Sequence, residues 1–105
     1  MIIITGSATI HPEHFAEALA LGVEHSVRSR AEPGCVAHDC HVDAENPQRI
    51  VFVEEWADMA AVKTHFAVPE SENFFQTLRR WALLAPVMQL YQGENFRGRL
   101  PKGSY

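Results

Sequence analysis

Apolar and polar positions recur along this chain with two different periods, and the changes of period mark out its elements. From Ile2 to Ile10 the period is two: Ile2, Ile4, Ala8 and Ile10 share one face, while Thr5, Ser7 and Thr9 share the other with Ile3. This predicts a first strand. His11-Pro12-Glu13 then opens a helix, because Pro fits the first turn and a carboxylate favours the positive helix start. Phe15, Leu19, Gly22, Val23, Ser26 and Val27 follow at spacings of three and four, so this helix should hide that stripe and end near Arg30. Glu32-Pro33-Gly34 reads as a turn. Cys35 to Val42 and Ile50 to Trp56 read as two strands of a hairpin, joined by the polar stretch Asp43 to Arg49. Asp58 caps a short helix that runs to Phe66 and carries His65. Pro69 breaks it, and a longer helix from Ser71 to Leu84 follows, with Phe74, Leu78, Trp81, Ala82 and Ala85 as its apolar stripe. Pro86 stops that helix, and Val87 to Gln92 makes a last strand.

The order is β-α-β-β-α-β with the second helix broken in two. It predicts an α+β fold of the ferredoxin-like, split βαβ kind: one antiparallel four-stranded sheet with its helices on one face. The domain should span residues 1–92, and residues 93–105, with three Gly and a Pro, should form a C-terminal tail or arm. Ile2-Ile3-Ile4 and Ile50-Val51-Phe52-Val53 are apolar on both faces, yet the helices can cover only one. A second copy of the sheet is the simplest cover for the other, so a homodimer is expected.

Composition narrows the classes of function. The chain has 105 residues, enough for one domain, and its 47% hydrophobic and 21% charged residues suit a folded protein rather than a disordered one. A net charge of −4 without a substantial basic run argues against nucleic acid as a partner. Met1 to Ile4 is apolar, but Thr5-Gly6-Ser7 interrupts it far short of a membrane span, and it lacks the basic start of a secretion signal. A cytoplasmic protein without membrane contact is expected. Cys35 and Cys40 are five residues apart in one strand, which would put them on opposite faces with Cα atoms about 16 Å apart, out of disulfide reach. Two reduced thiols follow.

Candidate chemistry is sparse. The sequence holds no Gly-rich nucleotide loop, no C-x-x-C and no H-x-x-x-H. His38, Cys40 and His41 are close in sequence, but His41 should face away from the other two. No metal or flavin is therefore expected. His38 alternates with Val36 and Cys40, which makes it either a hydrogen-bonded core histidine or a tuned base. His65 shares its helix with Val62 and Phe66, in a packing role or a pocket role. Trp56 ends the third strand beside the mouth of the space between sheet and helices, as a core or interface aromatic or as a substrate wall. Glu54 shares a face with Phe52 and Trp56, either as a pocket acid or as the partner of an Arg from a second subunit. Arg79 and Arg80 should be a solvated pair. His11, His14 and His25 are placed on the outer face of the first helix or its cap, with no chemistry assigned.

Taken together, Glu32-Pro33-Gly34-Cys35, His41 with Asp43, Asn46-Pro47, Phe52-Val53-Glu54-Glu55-Trp56, His65 and Pro69 resemble the antibiotic biosynthesis monooxygenase (ABM) domain. The resemblance spans about residues 2–92. The ABM family belongs to the dimeric α+β barrel group and includes small quinol monooxygenases. It implies oxygen insertion into a phenol, hydroquinone or polyketide-like aromatic without flavin, haem or metal, the deprotonated substrate itself reducing O₂. Such chemistry needs a dry aromatic pocket and one base near neutrality, a role that suits histidine, with its ordinary pKa of about 6.5. The resemblance thus implies a homodimer with a small aromatic substrate and O₂ as its partners and no cofactor. His65, at a position the family usually keeps, and His38 are the candidate bases. Trp56, Glu54, Phe52, Phe66 and Phe74 are the candidate cavity residues. Two departures leave the substrate open: His38 stands where many relatives have an aromatic, and Glu70-Ser71 stands where a His-Phe pair is common. Two other readings remain. One is a non-enzymatic dimeric binder of small ligands. The other is haem binding or degradation, against which the first strand lacks the Asn, and Ser71 to Phe75 lacks the His, that such relatives use.

Overall fold

The expected order of elements is present. A computed structural model describes residues 1–95. Its elements are β1 (Ile2–Thr9), α1 (Phe15–Arg30), β2 (Cys35–Asp43), β3 (Asn46–Trp56), α2 (Met59–Ala67), α3 (Pro69–Trp81) and β4 (Val87–Gln92). The strands form one antiparallel sheet in the order β2-β3-β1-β4, the ferredoxin-like arrangement. The arm expected over residues 93–105 lies, beyond residue 95, outside the described residues.

Local chemistry explains the boundaries. A single 3₁₀ turn, Pro12–His14, leads into α1. Asp58 caps α2, its side chain accepting from the Ala61 amide at 2.9 Å. Pro69 does separate the two helices, but it sits inside the first turn of α3, where its missing N–H costs nothing, so α3 starts two residues before Ser71. The same helix stops at Trp81 rather than Leu84. Ala82 turns to extended backbone and forms a bridge with Ile10. The β2–β3 turn shrinks to Ala44-Glu45, because Asn46 already belongs to β3.

Two side-chain placements differ from the periodic reading. In β2 the register runs from Cys35 opposite Trp56 to Ala37 opposite Glu55, so Val36 is a bulge. The extra residue flips the parity. Cys35 and Cys40 both pack into the helix-covered side rather than on opposite faces, while Val36, expected to point with His38, is exposed. In α1 the hidden face is Ala18, Gly22, His25, Ser26 and Ser29, and Val23 and Val27 lie exposed. Small residues win that face because the helix lies close to the sheet: a Cβ on Gly22 would sit 3.0 Å from both Cys40 Sγ and Phe52 Cζ.

The core has two apolar clusters. One gathers Ile10, Ala18, Ile50, Phe52, Phe74 and Leu78, and the other Ile4, Trp56 and Val62. Buried histidines lie between them: the His38 ring is 6.2 Å from Phe52 and 6.3 Å from Trp56. Among the described residues, the opposite face of the sheet carries no helix.

Candidate active site

Three elements each deliver one histidine to the same point. His25 comes from the close-packed face of α1, His38 from β2 just past the bulge, and His65 from the last turn of α2. Their relative exposures are 2%, 0% and 1%, and their ring centroids are 5.0–5.6 Å apart. One ligand-capable nitrogen of each lies within 4.8 Å of those of the other two. The placement of His25 on an outer face is therefore corrected. It is as buried as the two histidines singled out from the sequence.

Each ring has one nitrogen tied to a partner. Arg28 Nη2 donates to His25 Nδ1 at 2.6 Å, which leaves the proton of a neutral His25 on Nε2. Burial, reinforced by His38 and His65 and then by Arg28, holds the pKa of His25 down to about 2, so it stays neutral. Ser26 Oγ pairs with His38 Nδ1 at 2.8 Å, and Arg30 Nε holds the His38 carbonyl at 2.9 Å. His65 Nδ1 lies 2.6 Å from Glu32 Oε1, a contact that brings the turn before β2 onto α2.

Glu54, 4% exposed, stands at the centre. Its Oε1 accepts from Trp56 Nε1 at 2.9 Å and lies 3.3 Å from His38 Nε2 and 3.9 Å from His65 Nε2. The 3.3 Å approach is close but too poorly aligned to be a hydrogen bond, and both histidine Nε2 atoms are buried without a hydrogen-bond partner.

Aromatic rings enclose this group. Trp56 is 4.5 Å and Phe66 5.6 Å from His65, Phe74 stacks on His25 at 4.2 Å, and Phe52 lies 5.6 Å from Phe74. A cavity of about 50 Å³ is lined by His25, Glu54, Phe52, Phe74 and Gly6, among others. It shares Phe75, Leu78, Pro86 and Met88 with a cleft of about 310 Å³ between α3 and the start of β4, where Phe66, Glu72 and Arg79 contribute. All seven residues singled out from the sequence thus fall in one region, but in two tiers. Glu54, Phe52 and Phe74 border the cavity and Phe66 the cleft, whereas His38, His65 and Trp56 stand behind the wall.

Sequence reasoning missed His25, Ser26, Arg28 and the role of Glu32. A signal for His25 was present: Ala18, Gly22, Ser26 and Ser29 mark by their smallness the face of α1 nearest the sheet, and His25 lies on it. Among the described residues, no helix is long and apolar enough to cross a membrane.

The profile of a known family, antibiotic biosynthesis monooxygenase, matches residues 1–77. An uncharacterised Synechocystis protein, sll1783, is 29% identical over 75 residues, covering 71% of this chain and 51% of its own length. The chain thus spans about half the length of that curated relative. A crystal structure of an antibiotic biosynthesis monooxygenase is 28% identical and superposes with a TM-score of 0.83 over 90% of this chain and 100% of its own. A Deinococcus radiodurans structure, 23% identical, superposes with a TM-score of 0.88 over 96% of this chain and 100% of its own, a likeness of fold.

Proposed function

The chain belongs to the antibiotic biosynthesis monooxygenase family, and from that premise we propose that it oxidises a small electron-rich aromatic with O₂ in the cavity beside Glu54. A phenol, a hydroquinone or a polyketide-like ring is the substrate class. The observation that carries this reading is a buried carboxylate that borders an aromatic-walled cavity and is backed by two histidines.

The substrate supplies the electrons. One oxygen atom enters the ring system, and the other leaves as water with two hydrogens that the substrate gives up, so neither flavin nor haem is required. The first step is loss of the substrate hydroxyl proton. Glu54 is the group that the hydroxyl would meet. A carboxylate alone is a weak base toward a phenol, and His38, 3.3 Å behind it, is better suited to hold the proton. His65, oriented by Glu32, stands at 3.9 Å as the second acceptor. The base role expected of His65 and His38 is thus proposed to act through Glu54. His25, kept neutral with its proton on Nε2, is a donor for the phenolate that forms. The apolar walls keep water from the reactive intermediates.

A homodimer is part of the proposal. The face of the sheet away from α1, α2 and α3 exposes Val53, Val87 and Tyr91 beside Ile3 and Val51, and a second sheet would cover them. One domain over residues 1–92, in a cytoplasmic protein with reduced thiols, completes the reading.

Oxygen-electrode assays with a panel of hydroquinones and phenols test it. Substrate-dependent O₂ uptake, reduced about 10²–10⁴-fold in a folded Glu54→Gln variant, is expected. Absence of uptake across the panel would remove the enzymatic reading and leave a ligand-binding protein of the same fold.

A further inference from the structure

Around Glu54, two buried imidazole nitrogens and one carboxylate oxygen converge. A carboxylate can only accept, so the contact between His65 Nδ1 and Glu32 puts the proton of His65 on Nδ1 and turns the bare Nε2 inward. His38 has the same polarity available, since Ser26 Oγ can accept from its Nδ1. Both inward Nε2 atoms are fully buried and unpartnered, and both approach the same carboxylate oxygen. Each of these lone pairs can be met by a proton or by a metal ion, and a single ion can meet all three at once.

We propose that His38 Nε2, His65 Nε2 and the Glu54 carboxylate bind one divalent first-row transition-metal ion. Two imidazoles and one carboxylate are a recognised donor set for such ions, with positions left open for water or another ligand. Ligand bonds of about 2.0–2.2 Å place neighbouring donors about 3.4 Å apart in a tetrahedral site. The Glu54 oxygen lies 3.3 Å from one nitrogen and 3.9 Å from the other, close to that spacing. The outer contacts are those that metal-binding side chains need. Glu32 orients His65, Ser26 orients His38, and Trp56 Nε1 steadies Glu54. His25 is close enough to count as a third imidazole. Arg28 occupies its Nδ1, however, so its Nε2 carries a proton and it serves as a hydrogen-bond donor beside the ion, not as a ligand. The three ligands come from β2, β3 and α2, which is why no linear motif announces them.

This inference goes beyond the proposed oxidation. A bound ion occupies Glu54 and both Nε2 lone pairs, so loading should suppress any turnover that depends on them. The test needs no substrate, and its outcome stands whichever way the O₂ assays fall. The 105-residue chain, stripped with a chelator, is titrated with Co²⁺ and followed by visible absorption and calorimetry, then challenged with Zn²⁺. One ion per chain, displaced by Zn²⁺, is expected. Affinity should fall about 100-fold or more in His38→Phe and in Glu54→Gln, and stay at the wild-type value in His41→Ala on the open face. If His38→Phe fails to fold, Ser26→Ala, a small change on α1, should still weaken binding about tenfold. Absence of saturable binding in the wild type, or unchanged affinity in the folded variants, would overturn the proposal.

Discussion

Replacing Gly34 by Ala should cost more stability than any change in a surface turn normally does. Gly34 sits at φ 80°, where an L side chain is strained, and a Cβ there would lie 2.5 Å from Ala61 Cβ on α2. Ala61 cannot swing away, because its amide is held by the Asp58 cap. The left-handed backbone costs about 1–2 kcal/mol for Ala. The forced contact adds about 1–3 kcal/mol of overpacking, so a loss of about 2–5 kcal/mol is expected. The two parts separate in a double-mutant cycle. In an Ala61→Gly background the contact disappears, and Gly34→Ala should then cost only its backbone share of about 1–2 kcal/mol. The perturbation also reaches the site, since this turn carries Glu32 to His65. Urea unfolding followed by tryptophan fluorescence, at one fixed chain concentration, measures all four corners. Equal costs in both backgrounds would refute the contact. A cost below about 0.5 kcal/mol in each would refute the strain as well.

Other expectations follow from the same geometry. His25 has a folded pKa of about 2, below its unfolded value, so only the unfolded chain takes up that proton. The stabilisation is present above about pH 6.5 and is lost as pH falls, at up to about 1.4 kcal/mol per unit. Facing His25 are His38, His65, Arg28 and Glu54, which remain in a His25→Phe variant. The wild type should therefore lose about 2–3 kcal/mol more than this variant between neutral pH and about pH 4.5, and parallel stability curves would contradict the assignment. Burial pushes the Cys40 thiol up to about 11, so it should react slowly with a disulfide reagent near pH 8 and faster as pH rises; rapid labelling of both cysteines would contradict this. Light scattering should give twice the chain mass of 11.8 kDa at micromolar concentration, and a clean monomer would leave the open sheet face unexplained.

What could be read from the sequence was local. The strand alternation of β1, the Asp58 cap and the Phe74 and Leu78 stripe of α3 are set within one or two turns of chain, and each is where the pattern placed it. The bulge at Val36 was not legible, because it exists only in the pairing of β2 with β3; it turns Cys35 inward and Val36 outward, while His38 and Cys40 keep the inner face that the alternation gave them. The buried face of α1 was misread for a related reason. The expected stripe held Gly22 and Ser26, which are buried, but hydrophobicity added Val23 and Val27 to it, while close approach to the sheet selected the histidine beside the small residues. The resemblance brought Glu32 and His65 into view as members of a string. That they touch is a tertiary fact, as is the gathering of His25, His38 and His65 from three elements.

The account rests on oxygen transfer at the cavity beside Glu54, and heavy-isotope O₂ tests it most directly. Single-turnover reactions of the chelator-treated protein with an accepted hydroquinone, analysed by mass spectrometry, should show one heavy oxygen atom in the product and the other in water. A folded Glu54→Gln variant should form that product about 10²–10⁴-fold more slowly. A product without heavy oxygen, or the same rate in both proteins, would contradict the account.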